Sequence, residues 1–155
     1  MVKSKRPPSK SINNRRARHD YELSDSLIVG MELTGPETKA LRLGHGQLTG
    51  AYVTIKNNEL WLINSTISGS SGLPISETDQ TRARKLLAKR REIDHLISSK
   101  TQGRTIVPLE ILNRGRYIKL RVALGKGKKL YDKRQTIKQR EEKRRMAATI
   151  KATRH

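Results

Sequence analysis

The side chains best suited to acid–base chemistry in this 155-residue sequence are four histidines, His19, His45, His95 and His155, and they are scattered. His19 precedes Asp20, a neighbour able to orient an imidazole, but no nucleophile signature accompanies the pair. His95 lies near Glu92 and Asp94 in a stretch that reads as helix, where a solvated face accounts for all three. Cysteine is absent, so there is no disulfide framework and no thiolate metal site. The remaining ligand types lack the convergent spacing a metal ion needs. "GHGQLTG" (residues 44–50) is one residue off the dinucleotide fingerprint and follows a helical stretch rather than a strand, so it reads as a turn. "GKGKK" (residues 125–129) lacks the Walker spacing and its Ser/Thr, and reads as a phosphate grip at a strand end. The sequence therefore offers no catalytic site, no metal site and no cofactor.

Its chemistry is cationic. There are 34 basic and 14 acidic residues, a formal charge of +20. Residues 1–18 hold seven basic and no acidic residues. Residues 125–155 hold twelve basic and three acidic, for +9, while residues 19–124 carry only +4. High charge with little apolar surface cannot offset chain entropy, so both arms are expected to be mobile in the free protein. Nucleic acid is the first partner to expect and an anionic membrane surface the second. Aromatics are 3% of the chain and phenylalanine is absent, which argues against an RRM sheet with its stacked rings. Tyr21, Tyr52, Trp61, Tyr117 and Tyr131 are the full set, with Tyr52 and Trp61 read as barrel packing. Few stacking platforms point to shape and phosphate recognition of folded RNA. No apolar run approaches the roughly 18 residues that span a bilayer, and the charged N-terminus has no apolar signal segment. A cytoplasmic protein is expected.

The elements that must position these charges follow from period. Residues 26–33, "SLIVGMEL", read as a buried strand. Gly35-Pro36 breaks it and opens a helix whose Leu41 and Leu43 turn inward while Lys39 and Arg42 turn out. "AYVTIKNNELWLI" is a hairpin with Asn57-Asn58 supplying a positive-φ turn. Residues 68–80, rich in Ser and Gly, read as a flexible loop. Residues 81–99 read as one helix, with Ala83, Leu86, Leu87, Ile93, Leu96 and Ile97 as its apolar stripe. Pro108 places the next strand at an edge or a bulge. Ile118, Leu120, Val122 and Leu124 then alternate with Tyr117, Lys119 and Arg121, the wall of a small barrel with a cationic outer face. About six short strands and two or three packed helices make the fold mainly β, a small antiparallel barrel, closed or partly open. Beyond Tyr131 the sequence favours helix but has no apolar stripe, so the tail is expected to be unfolded alone and helical against RNA.

Five ordered motifs carry a resemblance: "NRRARHDY" (14–21), "LTGPETKALRLG" (33–44), "YVTIKNNELWL" (52–62), "TRARKLLAKRREID" (81–94) and "GKGKKLYDKRQTIKQRE" (125–141). Together they resemble the SmpB family of SsrA-binding proteins, the partners of transfer-messenger RNA in bacterial ribosome rescue. The resemblance implies an OB-like barrel, without enzymatic activity, that grips the tRNA-like domain of transfer-messenger RNA. It implies delivery of that RNA to ribosomes stalled without a stop codon, one protein monomer per RNA. It also implies a C-terminal tail that becomes helical in the empty mRNA channel beyond the small-subunit decoding centre. The corresponding division is a flexible basic arm (1–13), an RNA-binding barrel (14–130) and a basic tail (131–155). A ribosomal structural protein bound to rRNA is the second reading.

Carried over by position, the RNA-binding set is Asn14, Arg16, Arg18, His19, Tyr21, Lys39, Arg42, Gly44, Leu87, Lys119, Lys126, Lys128 and Lys129. Leu87, being apolar, is expected to support that surface from behind. Tyr131, Asp132, Lys133, Arg134, Lys138 and Arg140 correspond to the tail that engages the decoding centre, Asp132 orienting a neighbour or capping a helix. The sequence departs from the family pattern at Ile28, where a glutamate is common, and at His45 and Gln47. It departs also at Pro36 and Thr38, at Gln80 for the usual proline, and at Gly125 for alanine, a change expected to loosen the root of the tail.

Overall fold

The computed structural model describes residues 11–153. Most of the N-terminal arm (residues 1–10), His155 and the Tyr131 side chain lie outside the described residues. Six strands close a ring: β2 (Tyr21–Met31), β7 (Arg84–Leu87), β5 (Glu59–Ile63), β4 (Tyr52–Lys56), β8 (Thr105–Leu112) and β9 (Lys119–Gly127), with β9 returning to β2. Every pairing is antiparallel. A two-residue strand β1 (Ile12–Asn13) adds to the free edge of β8, and β3 (Gly46–Gln47) pairs with β6 (Thr66–Ile67) beside the ring. The inside is filled by Val29, Val53, Leu60, Leu62, Leu86, Ile106, Leu120, Val122 and Leu124, each no more than 4% exposed.

Local sequence explains the local structure. Asn57 and Asn58 take φ of 52° and 60°, the left-handed pair that a two-residue hairpin needs. Strand β2 begins five residues earlier than its apolar run, because Tyr21–Ser24 pair with β9 on a polar surface. A bulge between Ser24 and Ser26, with Asp25 at φ 35°, bends this long strand around the barrel. Pro108 sits in a second bulge on a central strand rather than at an edge; its nitrogen has no proton to give the ladder. Its carbonyl accepts from the Asn14 side chain at 2.9 Å.

Helix α1 is one turn (Ala17–Asp20). Helix α2 (Gly35–Arg42) is closed by a capping box, Thr34 accepting from the Glu37 amide while the Glu37 carboxylate accepts from the Thr34 amide. Leu41 is buried as expected, but Leu43 is 53% exposed: it caps the helix end, and residues two apart on a helix face opposite sides. The expected helix over 81–99 is two elements. Residues 84–87 form strand β7, with Arg84 and Leu86 inside and Lys85 and Leu87 outside; α4 spans Arg90–Thr101, buries Leu96 and leaves His95 exposed. The loop over 68–80 is pinned rather than loose. It contains a one-turn helix α3 (Glu77–Gln80), a Ser70–Leu73 bridge, and Leu73 and Ile75 packed on the core. Tyr52 and Trp61 stand on the outer wall, not in the barrel, since Val53, Leu60 and Leu62 take the inward positions. Helix α5 (Leu130–Thr153) has no apolar stripe and, from Asp132 on, is exposed except at half-buried Lys133 and Thr136.

Candidate nucleic-acid interface

The predicted cations fall into three groups on the outside of the ring. The first surrounds the root of the tail. Here α1, the start of β2, the end of β9 and the start of α5 meet. The Lys128 amide donates to the Asp20 carbonyl at 2.9 Å and its ammonium to the Arg18 carbonyl at 3.0 Å. His19 Nδ1 and Lys133 Nζ converge on one Asp20 oxygen at 3.0 and 3.3 Å. The His19 hydrogen bond, followed by that from Lys133, holds the Asp20 carboxyl below its ordinary value of 3.8 against a modest burial cost. Tyr21 lies over Gly125, where an added Cβ would stand 3.0 Å from the Tyr21 Cβ and 3.1 Å from Val107. Gly125 is therefore a seat for the tyrosine inside strand β9. Arg16, Arg18, Lys126 and Lys129 are exposed around this junction and make no ion pair among the described residues.

The second group is a stripe across the wall. Gly30 stands opposite Leu87 on one side and Lys119 on the other, so the three share the outer face. Leu87 is 51% exposed and leans over Gly30, its Cβ 3.2 Å from where a glycine Cβ would be. It is thus part of the surface and not a support behind it, because its strand is a strand and not a helix. Ile28 continues the apolar component, 46% exposed and opposite Arg121, which pairs with Glu110 at 3.0 Å. An open cleft of about 960 Å³ runs from this stripe to the first group, with Ile28, Leu109 and Ala123 in its lining; its charges are mixed, Arg18, Arg121 and Lys128 against Glu22, Asp25 and Glu92.

The third group lies around the end of α2. Lys39 is exposed, and Gly44 (φ 84°) turns the chain toward exposed His45 and Gln47. Arg42, predicted to face outward, instead folds onto the β8–β9 loop, donating to the carbonyls of Asn113, Gly115 and Arg116 at 3.3, 3.1 and 2.9 Å. In α5, Lys133 is tied to Asp20, and Asp132 lies in the first turn, where its charge suits the helix dipole, without occupying the cap position. Arg140 lines a cleft of about 280 Å³ with Asn14, Arg15, Arg18, Glu110 and Arg121, while Arg134 and Lys138 are exposed. Asn14 is occupied at both ends, its amide donating to the Leu109 carbonyl and its side chain to that of Pro108. It braces the bulge beneath the basic α1.

One charge cluster has no place in such a surface. Glu37 and Arg84 are both about 1% exposed or less. Glu37 accepts from Arg82 at 2.6 and 2.7 Å and from Arg84 at 3.2 Å. Arg84 also donates to Ser65 and to the carbonyls of Asp79, Gln80 and Arg82. Burial pushes the Glu37 carboxyl up, but the Arg82 and Thr34 hydrogen bonds and the charges of Arg84 and Arg82 outweigh it and hold it below its ordinary value. The same burial lowers Arg84. This knot fastens α2 and the 64–81 loop to β7. The sequence contained one usable signal for it, the glutamate three residues after Thr34 that closes a capping box.

The SmpB protein family model matches residues 11–152. The chain belongs to the SmpB family. An SsrA-binding protein of Lysinibacillus sphaericus is 42% identical over 140 residues, 90% of each chain. That of Ligilactobacillus salivarius is 40% identical over 153 residues, 97% of this chain and 98% of its own. That of Oleidesulfovibrio alaskensis is 44% identical over 132 residues, 84% and 85%. A solved structure described as "tmRNA-SmpB: a journey to the center of the bacterial ribosome" aligns with a TM-score of 0.63 and 37% identity, over 77% of this chain and 85% of that one. The exposed apolar Ile28 sits on the same wall as Leu87 and Lys119. Arg121 lies on the outer strand face, as the alternation predicts, whereas the tethering of the loop over 113–118 to α2 has no signal in the sequence. No group of histidines and carboxylates among the described residues is arranged to hold a metal ion, and no helix there is long and apolar enough to cross a membrane.

Proposed function

We propose that this chain binds transfer-messenger RNA and brings it to stalled ribosomes for trans-translation. The observation that carries the reading is the set of exposed cations on the outer wall and at the root of the tail, Lys119, Arg16, Arg18, Lys126 and Lys129, none of them in an ion pair among the described residues, on a closed ring joined to a helix with no apolar stripe. The names of its relatives, SsrA-binding proteins, support the RNA partner, and the tmRNA–SmpB structural relative supports the ribosome. In this reading the ring (residues 14–130) grips the tRNA-like domain and the tail (131–155) probes the empty mRNA channel near the decoding centre. The protein acts as a monomer, one per RNA, in the cytoplasm, with no chemistry of its own and no cofactor. Asn14, Tyr21 and Arg42 act by holding α1 and the β8–β9 loop in place, whereas Arg16, Arg18, Lys39, Leu87, Lys119, Lys126 and Lys129 touch RNA.

The test is reconstituted translation of a message lacking a stop codon, with full-length protein and with a chain ending at Lys129. The truncation point keeps β9 whole, including the Lys128–Asp20 hydrogen bond. Full-length protein should restore release. The truncated chain should bind the RNA and fail to restore release. Full-length protein that binds no transfer-messenger RNA would refute the proposal.

A further inference from the structure

The β8–β9 loop (residues 113–118) is held more firmly than a simple surface turn requires. Arg42 donates from both terminal nitrogens of its guanidinium to three main-chain carbonyls of this loop. Asn113, 3% exposed, donates its side-chain amide to the Leu41 carbonyl at 2.7 Å, so the loop is tied to α2 from a second point. Ile118, 5% exposed, anchors its far end in the core. Yet between these anchors the chain presents Arg114, Gly115, Arg116 and Tyr117 to solvent. Tyr117 is 68% exposed, in a chain with five aromatic residues and every reason to bury them. The Arg116 guanidinium carbon sits 5.4 Å from its ring centroid, within cation–π reach, a contact that favours one placement of the ring. The loop feeds directly into Lys119 and the cationic wall.

An exposed ring with the Arg116 guanidinium against it and Arg114 in the same loop is a small stacking platform. Every unpaired base has a π-face to lay on such a ring, and the arginines supply the adjoining phosphate contacts. We propose that Tyr117, oriented by Arg116 and carried on a loop locked by Arg42, stacks an unpaired base of the bound RNA. This gives the surface one element that reads single-stranded character, alongside a wall that reads phosphate and shape. The inference rests on the RNA-binding role proposed above.

The experiment is a set of binding titrations with full-length protein. The probes are a transfer-messenger RNA transcript and a fully base-paired RNA duplex. The proteins are the unaltered chain, Tyr117→Ala, Tyr117→Phe and Arg114→Gln, with circular dichroism to verify folding. Tyr117→Ala should weaken binding to the transcript about tenfold, and Tyr117→Phe should stay within about twofold, because the ring and not the hydroxyl does the stacking. On the duplex, Tyr117→Ala should bind like the unaltered chain. Tyr117→Ala should also leave the slope of log affinity against log salt unchanged, whereas Arg114→Gln should flatten it by about 0.7–0.9. Equal binding of the transcript by Tyr117→Ala and the unaltered chain would overturn the stacking role while leaving the RNA adaptor intact. So would equal weakening on transcript and duplex. An unaltered chain that fails to bind the transcript would overturn the adaptor itself, and the stacking role with it.

Discussion

Arg84 and Lys119 sit on neighbouring strands of β2, one pointing into the fold and the other out, and they show two uses of positive charge. Arg84 is wholly buried, meets Glu37 and donates to a ring of carbonyls. Lys119 is exposed and makes no ion pair among the described residues, as is true of Lys126, Lys129, Arg16 and most cations of α5. The first kind of charge is consumed by folding. Its desolvation is matched by partners, and removing one partner strands the other in a medium that cannot solvate it. The second kind contributes little to the fold and raises the potential of a surface. A net charge of +20 therefore says little about which cation does what; the presence of an internal acceptor does. Arg42 shows the distinction best, because it lies among RNA-facing candidates but already donates to three carbonyls.

The contrast can be broken in several ways. The largest effect should come from ending the chain at Lys129: rescue in reconstituted translation should be lost, while the urea midpoint stays where it was. A large fall in stability would mean that α5 belongs to the folded unit. Next, Arg84→Ala should cost about 3–5 kcal/mol in urea unfolding, since it leaves Glu37 buried and unpaired. Lys119→Ala should leave stability within about 0.5 kcal/mol yet cost about 1.5–3 kcal/mol of RNA affinity, measured by titration. If Lys119→Ala destabilised as Arg84→Ala does, the division between inside and outside charge would fail. The Glu37 cluster also sets a pH dependence. Its folded carboxyl is held below the ordinary 4.5, so its stabilising contribution is complete above that value and is lost as pH falls below it. Glu37→Gln should flatten this acid limb in unfolding curves taken at falling pH. The smallest effect should be that of Asp20→Asn. The half-exposed pair with Lys133 is worth about 0–1 kcal/mol, so the urea midpoint should hardly move, while hydrogen exchange in the first turns of α5 should quicken.

Much of this was legible where a single period ran uninterrupted. The alternation from Ile118 to Leu124 and the Asn57-Asn58 turn gave β9 and the β4–β5 hairpin directly. The motif order from Asn14 to Glu141 carried the family. The error over 81–99 has a physical source. β7 is four residues long, too short to display a period of two, and its Leu86 and Leu87 fall in phase with the stripe of α4. Arg84, the largest buried side chain, reads as a solvent residue until its acceptors are known, and these come from residues 37, 65, 79, 80 and 82. Hydrophobicity alone cannot tell a core position from an exposed apolar patch, and Leu87 is 51% exposed. The early start of β2 was hidden because Tyr21–Ser24 lie on a polar face and are held by ladder bonds with β9. Position in the motifs singles out Arg42 and Asn14, but their hydrogen bonds to loop and bulge carbonyls require coordinates.

The most direct measurement is competitive titration of transfer-messenger RNA against transfer RNA, using the full chain and the chain ending at Lys129, at low and high salt. If the rigid outer surface is the grip and α5 a separate probe, both proteins should prefer transfer-messenger RNA and keep that preference as salt rises. With about six phosphates engaged, log affinity should fall against log salt with a slope of roughly −4 to −5. Loss of the preference on removing α5, or its disappearance for both proteins in high salt, would contradict that division.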